Sequence, residues 1–184
     1  WFPDEAYVKI NGRPILPVFG PQYFTKDQWG QVLSGLQRRP LLYALPHLSA
    51  AMGMDGAFGW PPVTGGREIT PTVWREYLNS LYAQSNSGQS VVSVAFPAFR
   101  DIYKQAQLHD SYGSIEARDG QTFAETYALA QKSDSPIIQI ATWNDYGEGT
   151  VIEPTEVSGY RYLEHVQSNA KAGLPYGPND LRLP

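Results

Sequence analysis

The sequence has no cysteine among its 184 residues. This excludes disulfide staples, a thiol nucleophile and cysteine-ligated zinc, but it fits cytosol, periplasm or secretion equally well. Basic residues are few, 14 Lys and Arg against 18 Asp and Glu, giving a net charge of -4 and a pI near 5.3. The only adjacent basic pair is Arg38-Arg39. A chain so charged is a poor partner for nucleic acid or an anionic membrane surface. No apolar run approaches the roughly 20 residues of a membrane span. Its 3 histidines have no metal-ligand spacing, and no glycine-rich nucleotide fingerprint follows any strand-like run. The first residues do not read as a signal peptide, and Trp1 is not a start methionine, so an N-terminal part is expected upstream.

What is present is a globular composition, 42% hydrophobic and 17% charged, sized for one domain. Asn11-Gly12 marks a turn. Strand-like runs recur near residues 15, 42, 56, 93 and 139, separated by helical patterns. Thr25 with Gln28 reads as a capping box, with Trp29, Val32, Leu33 and Leu36 on the buried face of the helix. Thr70 caps a second helix with Pro71 at its first position and Trp74, Tyr77, Leu78, Leu81 and Tyr82 as its apolar stripe; Ser87-Gly88 closes it. Asp101 to Gly120 reads as a long aperiodic loop. Thr122 with Glu125 reads as another capping box, and Tyr160, Leu163 and Val166 mark a last helix stopped at Gly173. Alternation of this kind predicts a parallel sheet with crossover helices. The fold class expected is α/β of (β/α)8 TIM-barrel type, the chain covering about the C-terminal five strands as a single domain over 1–184. The alternative is an open doubly wound sheet.

The stretch from Pro136 to Gly149 organises the rest. Ile137 to Ile140 reads as a strand buried on both faces, and it breaks into Trp143, Asn144, Asp145, Tyr146, Gly147, Glu148 and Gly149. In parallel α/β proteins, residues just past a strand's C-terminal end form the active site. Two carboxylates three apart, flanked by aromatics and an amide, suit acid/base chemistry on a sugar, with Gly147 and Gly149 allowing a tight path. Tyr23, His47, Asp55 with Trp60, and Arg100-Asp101 follow other strands and are expected on the same rim. Aromatic faces stack on sugar rings there, and polar side chains bind hydroxyls. His47 reads as structural, and His109 and His165 as surface residues. A cation held by Asp145, Glu148 and Asp55 has no motif behind it, so no metal or cofactor is invoked.

Thr142-Trp143-Asn144-Asp145-Tyr146-Gly147-Glu148-Gly149-Thr150, followed by Ile152-Glu153-Pro154, resembles the hallmark of the glycoside hydrolase family 99 endo-α-mannosidase-like barrels. There the strand ends in Asn-Glu-Trp-His-Glu-Gly-Thr. The Trp-Asn-Asp-Tyr-Gly-Glu core also resembles the family 71 α-1,3-glucanases. Lys9 to Pro14, Asp55 to Phe58, Phe96 to Asp101 and Arg118 to Phe123 resemble further elements of that barrel, in the same order. The resemblance implies that Asp145 and Glu148 are the catalytic pair, with Glu148 the acid and Asp145 the base. Asp at 145 stands where the family carries Glu, and Tyr146-Gly147 stands for Trp-His.

The function this implies is hydrolysis of α-linked glycans of mannan or glucan type, without a cofactor. Trp143, Tyr146, Trp60 and Tyr23 would shape sugar subsites, and Asn144, Asp55 and Arg100 would bind hydroxyls. Partial burial would raise the Glu148 pKa. The partner expected is an oligosaccharide or polysaccharide in a periplasmic, cell-surface or secreted setting. The rivals are a non-catalytic carbohydrate-binding protein and a polysaccharide-assembly protein on the same barrel.

Overall fold

The protein is described here by a computed structural model covering residues 2–87 and 89–170. The strands are Lys9–Ile10 (β1), Arg13–Pro17 (β2), Leu41–Ala44 (β3), Gly56–Phe58 (β4), Arg67–Glu68 (β5), Ser90–Ala95 (β6), Phe99–Arg100 (β7), Gly113–Ile115 (β8) and Ile138–Ile140 (β9). The α-helices are Lys26–Ser34 (α1), Pro46–Met52 (α2), Pro71–Ala83 (α3), Gln121–Lys132 (α4) and Arg161–Asn169 (α5). The chain divides into two compact units. The first takes residues up to 59 with 80–93 and 134–139; the second takes 60–79, 94–133 and the chain from 140 onward. No helix among the described residues is long and apolar enough to cross a membrane.

The first unit is built on a sheet of order β1-β2-β3-β4-β6-β9. β1 and β2 form an antiparallel hairpin through Asn11-Gly12, both at positive φ (51° and 75°), the geometry that an Asn-Gly pair specifies. β2, β3, β4 and β6 are parallel, with Ile15 opposite Leu41, Ala44 opposite Ala57 and Ala57 opposite Val91. Ser93 N–H donates to Ile137 O at 3.2 Å and Ala141 N–H to Ala95 O at 2.9 Å. Those bonds advance the same way along β6 and β9, so this pair is parallel too. All five strands expected from the sequence are therefore neighbours in one parallel array.

Burial follows strand position. Tyr43, Ala44 and Ala57 are fully enclosed, whereas Ile138, Gln139 and Ile140 are only half-buried. The expectation of a last strand covered on both faces is thus corrected. β9 ends the sheet order, and its one described neighbour is β6.

Helix α1 starts as read. Thr25 Oγ1 accepts from Gln28 N–H, and Gln28 Oε1 accepts from Thr25 N–H. Its apolar face is narrower than expected, since Leu33 is buried but Val32 and Leu36 are exposed, Leu36 lying past the helix end. The seven-residue α2, which contains His47, escapes a periodicity reading because it is under two turns long and begins at Pro46. Its Ser49 Oγ donates to Gly56 O at 2.7 Å, tying helix to strand.

In the second unit α3 buries Trp74 and Leu78 completely. The guanidinium carbons of Arg75 and Arg118 lie 5.1 and 5.7 Å from the Trp74 ring centroid. Both arginines converge on Glu125, Arg75 Nη2 at 2.5 Å and Arg118 Nη2 at 2.8 Å. The capping box expected at Thr122 and Glu125 does not form. The α4 N-cap is Gly120, and Thr122 Oγ1 instead donates to Glu116 O and accepts from Arg118 Nε. The stretch from Asp101 to Gly120 is not wholly irregular, because β8 pairs with β5 in parallel and with β7 in antiparallel fashion to make a second, three-stranded sheet. α5 lies where Tyr160 to Val166 predict a helix. Gly88 and Gly173, read as stops, fall outside the described residues.

A Cβ on Gly56 would sit 2.4 Å from the backbone oxygen of half-buried Ser90 and 2.4 Å from Cε1 of the fully buried Tyr43. Gly56→Ala should therefore destabilise the fold by about 3 kcal/mol or more, the upper range for overpacking; a melting curve overlying the parent's would refute this. Glu125 has its pKa lowered, first by the hydrogen bond from Arg118. A carboxyl with a depressed folded-state pKa stabilises above its unfolded value and loses that stabilisation as pH falls. Glu125→Gln should accordingly lower the melting temperature at pH 7, and the gap from the parent should narrow as pH falls through the ordinary glutamate range and close below the depressed folded-state pKa.

Candidate active site

The loops after β4, β6 and β9 supply one cluster in the second unit. β9 ends at Ile140; Ala141 is fully buried, and the Ala141–Thr142 peptide is cis. Residues 142–150 then form a closed loop. Thr142 N–H donates to Thr150 O at 2.8 Å, the two threonine hydroxyls are 2.9 Å apart, and Glu153 N–H donates to Trp143 O at 2.9 Å. Inside the loop, Asp145 N–H donates to Thr142 Oγ1 at 3.1 Å, and Asp145 Oδ1 accepts from Glu148 N–H at 2.9 Å. The second bond is an Asx-type closure that spans the two carboxylate residues.

The loop after β6 runs beside it. Arg100 N–H donates to Glu148 O at 2.8 Å and Ile102 N–H to Gly147 O at 3.0 Å. Gly149 adopts φ +65°, and a Cβ there would stand 3.1 Å from Arg100 O. The glycine that this close approach requires is Gly149; Gly147, the one between the acids, keeps negative φ.

These bonds set the environment of Glu148. Its Oε1 accepts from the Tyr103 hydroxyl at 2.9 Å, while Oε2 is buried with no hydrogen-bond partner among the described residues. Burial is the main influence and pushes the carboxyl pKa upward. The Tyr103 hydrogen bond opposes it, the charges of Asp145 and Asp101 add to it, and the Trp60 side chain opposes it more weakly. The counterpart is Tyr103, whose hydroxyl is pushed up to about 12 by burial and by its bond to Glu148.

Other sequence-derived candidates are placed as follows. Trp60 is half-buried and acts on the Glu148 carboxyl. Trp143 and Asn144 are exposed on the same loop, and Tyr146, also exposed, donates its hydroxyl to Glu153 Oε2 at 2.8 Å. The exposed Arg100 guanidinium pairs with Glu116 at 2.7 Å, while its backbone holds the Glu148 loop. Tyr23 ends a short 3-10 turn after β2 and is almost fully exposed, its ring edge-on to Phe24.

Asp55 is a correction. It precedes β4, so it lies at the N-terminal edge of the parallel strands, opposite to the expected rim. There it accepts from Leu42 N–H at 2.9 Å and faces Arg13 and Arg39 at 3.8 and 3.6 Å. It fastens β3 to β4 and lies beside no C-terminal loop. His165 is likewise not a free surface residue, since its ring packs on Phe123 and Tyr127 and burial lowers its pKa.

Sequence reasoning missed Tyr103 as a site residue; Asp101, expected on the rim with Arg100, accepts at Oδ2 from Tyr112 N–H at 2.7 Å and from Ser111 Oγ at 3.1 Å. The one available signal was Tyr103, His109 and Tyr112 lying within ten residues of a segment with no helical or strand period.

By sequence the chain matches no known protein family and no curated protein. By structure it matches a GH99 endo-α-mannosidase from Bacteroides thetaiotaomicron at 17% identity and TM-score 0.59, covering 82% of this chain and 47% of that one. The same enzyme bound to bis-tris-propane gives 19% identity and 0.60, covering 81% and 49%. A glycoside hydrolase-like protein gives 12% and 0.61, covering 91% and 56%. The chain therefore has an α/β fold of TIM-barrel type, like that of these structures, and spans about half their length.

Because the Tyr103 hydroxyl favours the ionised form of Glu148, Tyr103→Phe should raise the Glu148 pKa further. Carbon-13 NMR titration of the side-chain carboxyl should show the shift, and an unchanged or lower midpoint would contradict the electrostatic account.

Proposed function

We propose that the protein is a glycoside hydrolase acting on α-linked glycans of mannan or glucan type, with Glu148 as general acid and Asp145 as base. The observation that carries this reading is the Glu148 carboxyl. It is desolvated, hydrogen-bonded by Tyr103 and flanked by Asp145, just past the C-terminal end of a parallel strand in a barrel-type fold. A carboxyl with an upward-shifted pKa holds its proton nearer neutrality and can deliver it to a glycosidic oxygen as the bond breaks. Asp145 Oδ1 is occupied by Glu148 N–H, which leaves Oδ2 to take a proton from a substrate hydroxyl or an attacking water. Trp60, Trp143 and Tyr146 would pack on sugar rings, and Asn144 would bind hydroxyls. A periplasmic, cell-surface or secreted setting goes with such a substrate.

The rival reading is a carbohydrate-binding protein without chemistry. It is favoured by the Asx-type bond, which gives Asp145 a purely structural task in closing its loop. The two readings separate by substitution. Glu148→Gln should keep the fold and sugar binding but lower the hydrolysis rate at least ~10²-fold, the scale of a lost general acid. Asp145→Asn keeps an oxygen for Glu148 N–H and should lose activity comparably. A substrate with an activated leaving group should rescue only the Glu148 variant. Assay against a panel of α-mannans and α-glucans reads these outcomes: a parent that binds a glycan but cleaves none would leave the binding reading in place, and a double variant that cleaves as fast as the parent would remove both carboxylates from the mechanism.

A further inference from the structure

We propose that Arg13, Arg38 and Arg39 form a binding site for a doubly charged tetrahedral oxyanion, a free phosphate or the phosphate ester of a larger molecule. The site belongs to the N-terminal edge of β2 and β3 in the first unit and does not rest on the hydrolase reading. An open cavity of about 490 Å³ is lined there by Gly12, Arg13, Pro14, Arg38, Arg39 and Asp55. The chain carries only 14 Lys and Arg and a net charge of -4, yet three arginines meet at this one cavity. A concave surface lined by one sign of charge draws in the opposite ion, here against the charge of the whole chain.

The strand ends present the guanidinium groups before any ligand arrives. Asn11-Gly12 turns the chain into β2, so Arg13 is the first residue of that strand. Ile15 lies opposite Leu41, a register that sets Arg13 level with Arg39 at the entry to β3. Arg13 Nε donates to Arg39 O at 3.4 Å and Nη2 to Pro40 O at 3.2 Å, which holds its planar fork against the start of β3. Such preorganisation lowers the ordering cost of binding.

Asp55 does not exhaust these charges. Its Oδ2 accepts from Leu42 N–H at 2.9 Å, and Arg13 and Arg39 stand 3.8 and 3.6 Å from the carboxylate. A charge-assisted N–H···O bond measures about 2.7–2.9 Å, so neither guanidinium is closed onto Asp55. Asp55 also lies deeper, its side chain 21% exposed against 44% for Arg13 and 51% for Arg39. Arg38 has no ion pair or side-chain hydrogen bond among the described residues. An incoming anion therefore meets guanidinium groups before it meets the carboxylate. Three cations against one carboxylate leave two positive charges over, which a dianion neutralises. The planar fork of arginine matches the oxygens of a phosphate, and a lining without aromatic rings offers a neutral sugar no stacking face.

The test is calorimetric titration of inorganic phosphate, glucose 6-phosphate and glucose into the full chain at constant ionic strength. It is run at about pH 8, where a phosphate ester is a dianion. Saturable binding of either phosphate without glucose supports the site, and which of the two binds tells whether the free anion or its ester is the ligand. Arg38→Ala removes a side chain that has no partner to lose, and it should weaken binding ~10-fold, the scale of one hydrogen bond to a charged group. Arg39→Ala, checked for folding by its melting curve, is the second variant, and weakening by either one places the anion at this cavity. Lys132→Ala, at the exposed end of α4, should bind like the parent. A parent that binds neither phosphate overturns the proposal, as does glucose binding as well as its phosphate. Parent-like binding by both arginine variants overturns it too, and so does Lys132→Ala weakening binding as much as they do, the mark of diffuse attraction.

Discussion

Two backbone hydrogen bonds, Arg100 N–H to Glu148 O and Ile102 N–H to Gly147 O, fix the geometry on which the site depends. They join the loop after β6 to the loop after β9, extending the pairing of those strands beyond the point where the sheet itself stops. Through them the chain from Asp101 to Tyr112 is laid beside Glu148, which buries its carboxyl and brings the Tyr103 hydroxyl to it. The join needs close backbone approach, which explains a glycine at 149 in the left-handed region, with Arg100 O only 3.1 Å from where a Cβ would be. A side chain there would push the loops apart, and the Glu148 carboxyl would regain water and an ordinary pKa.

The same residue type is tuned in opposite directions within this unit. Glu125 receives two guanidinium groups and is held more acidic. Glu148 receives a neutral phenol, faces two carboxylates and is held less acidic. Sequence position predicts neither, because each environment includes a partner from far along the chain, Arg75 for Glu125 and Tyr103 for Glu148. The ion-paired glutamate serves packing, fastening α4 to Trp74 and α3. The one pushed upward has burial and two neighbouring carboxylates against it and no cation beside it among the described residues, an arrangement with no benefit to stability, and that is the physical basis for reading it as functional.

Much of the fold was legible because parallel strands are apolar runs bounded by proline and glycine, and their C-terminal ends follow once the strands are placed. Asp145, Glu148 and Trp60 came with them. Asp55 was misplaced by a single boundary: it precedes β4 by one residue, so it belongs to the N-terminal edge and to Arg13 and Arg39. Thr122 and Glu125 have capping-box spacing, but Gly120 at φ +87° starts the helix earlier and frees both side chains for Arg118. Tyr103 was illegible because its importance comes from β-pairing and loop docking, neither of which leaves a period in the sequence.

The departure at 145 has a local cause. The resembling motif carries Glu at this position, and here an Asp closes a four-residue turn by accepting Glu148 N–H at 2.9 Å. An oxygen two bonds from the Cα carbon's Cβ reaches that N–H without leaving the turn; one more methylene would carry it past. The shorter acid therefore holds the backbone of the longer one, and with Arg100 N–H on the opposite side of the same peptide chain it fixes Glu148 at both its nitrogen and its carbonyl. Asp145 orients Glu148 through the backbone and also repels its ionised form through space. A glutamate at 145 would preserve the charge but give up the turn, so loop geometry, not acidity, accounts for aspartate here.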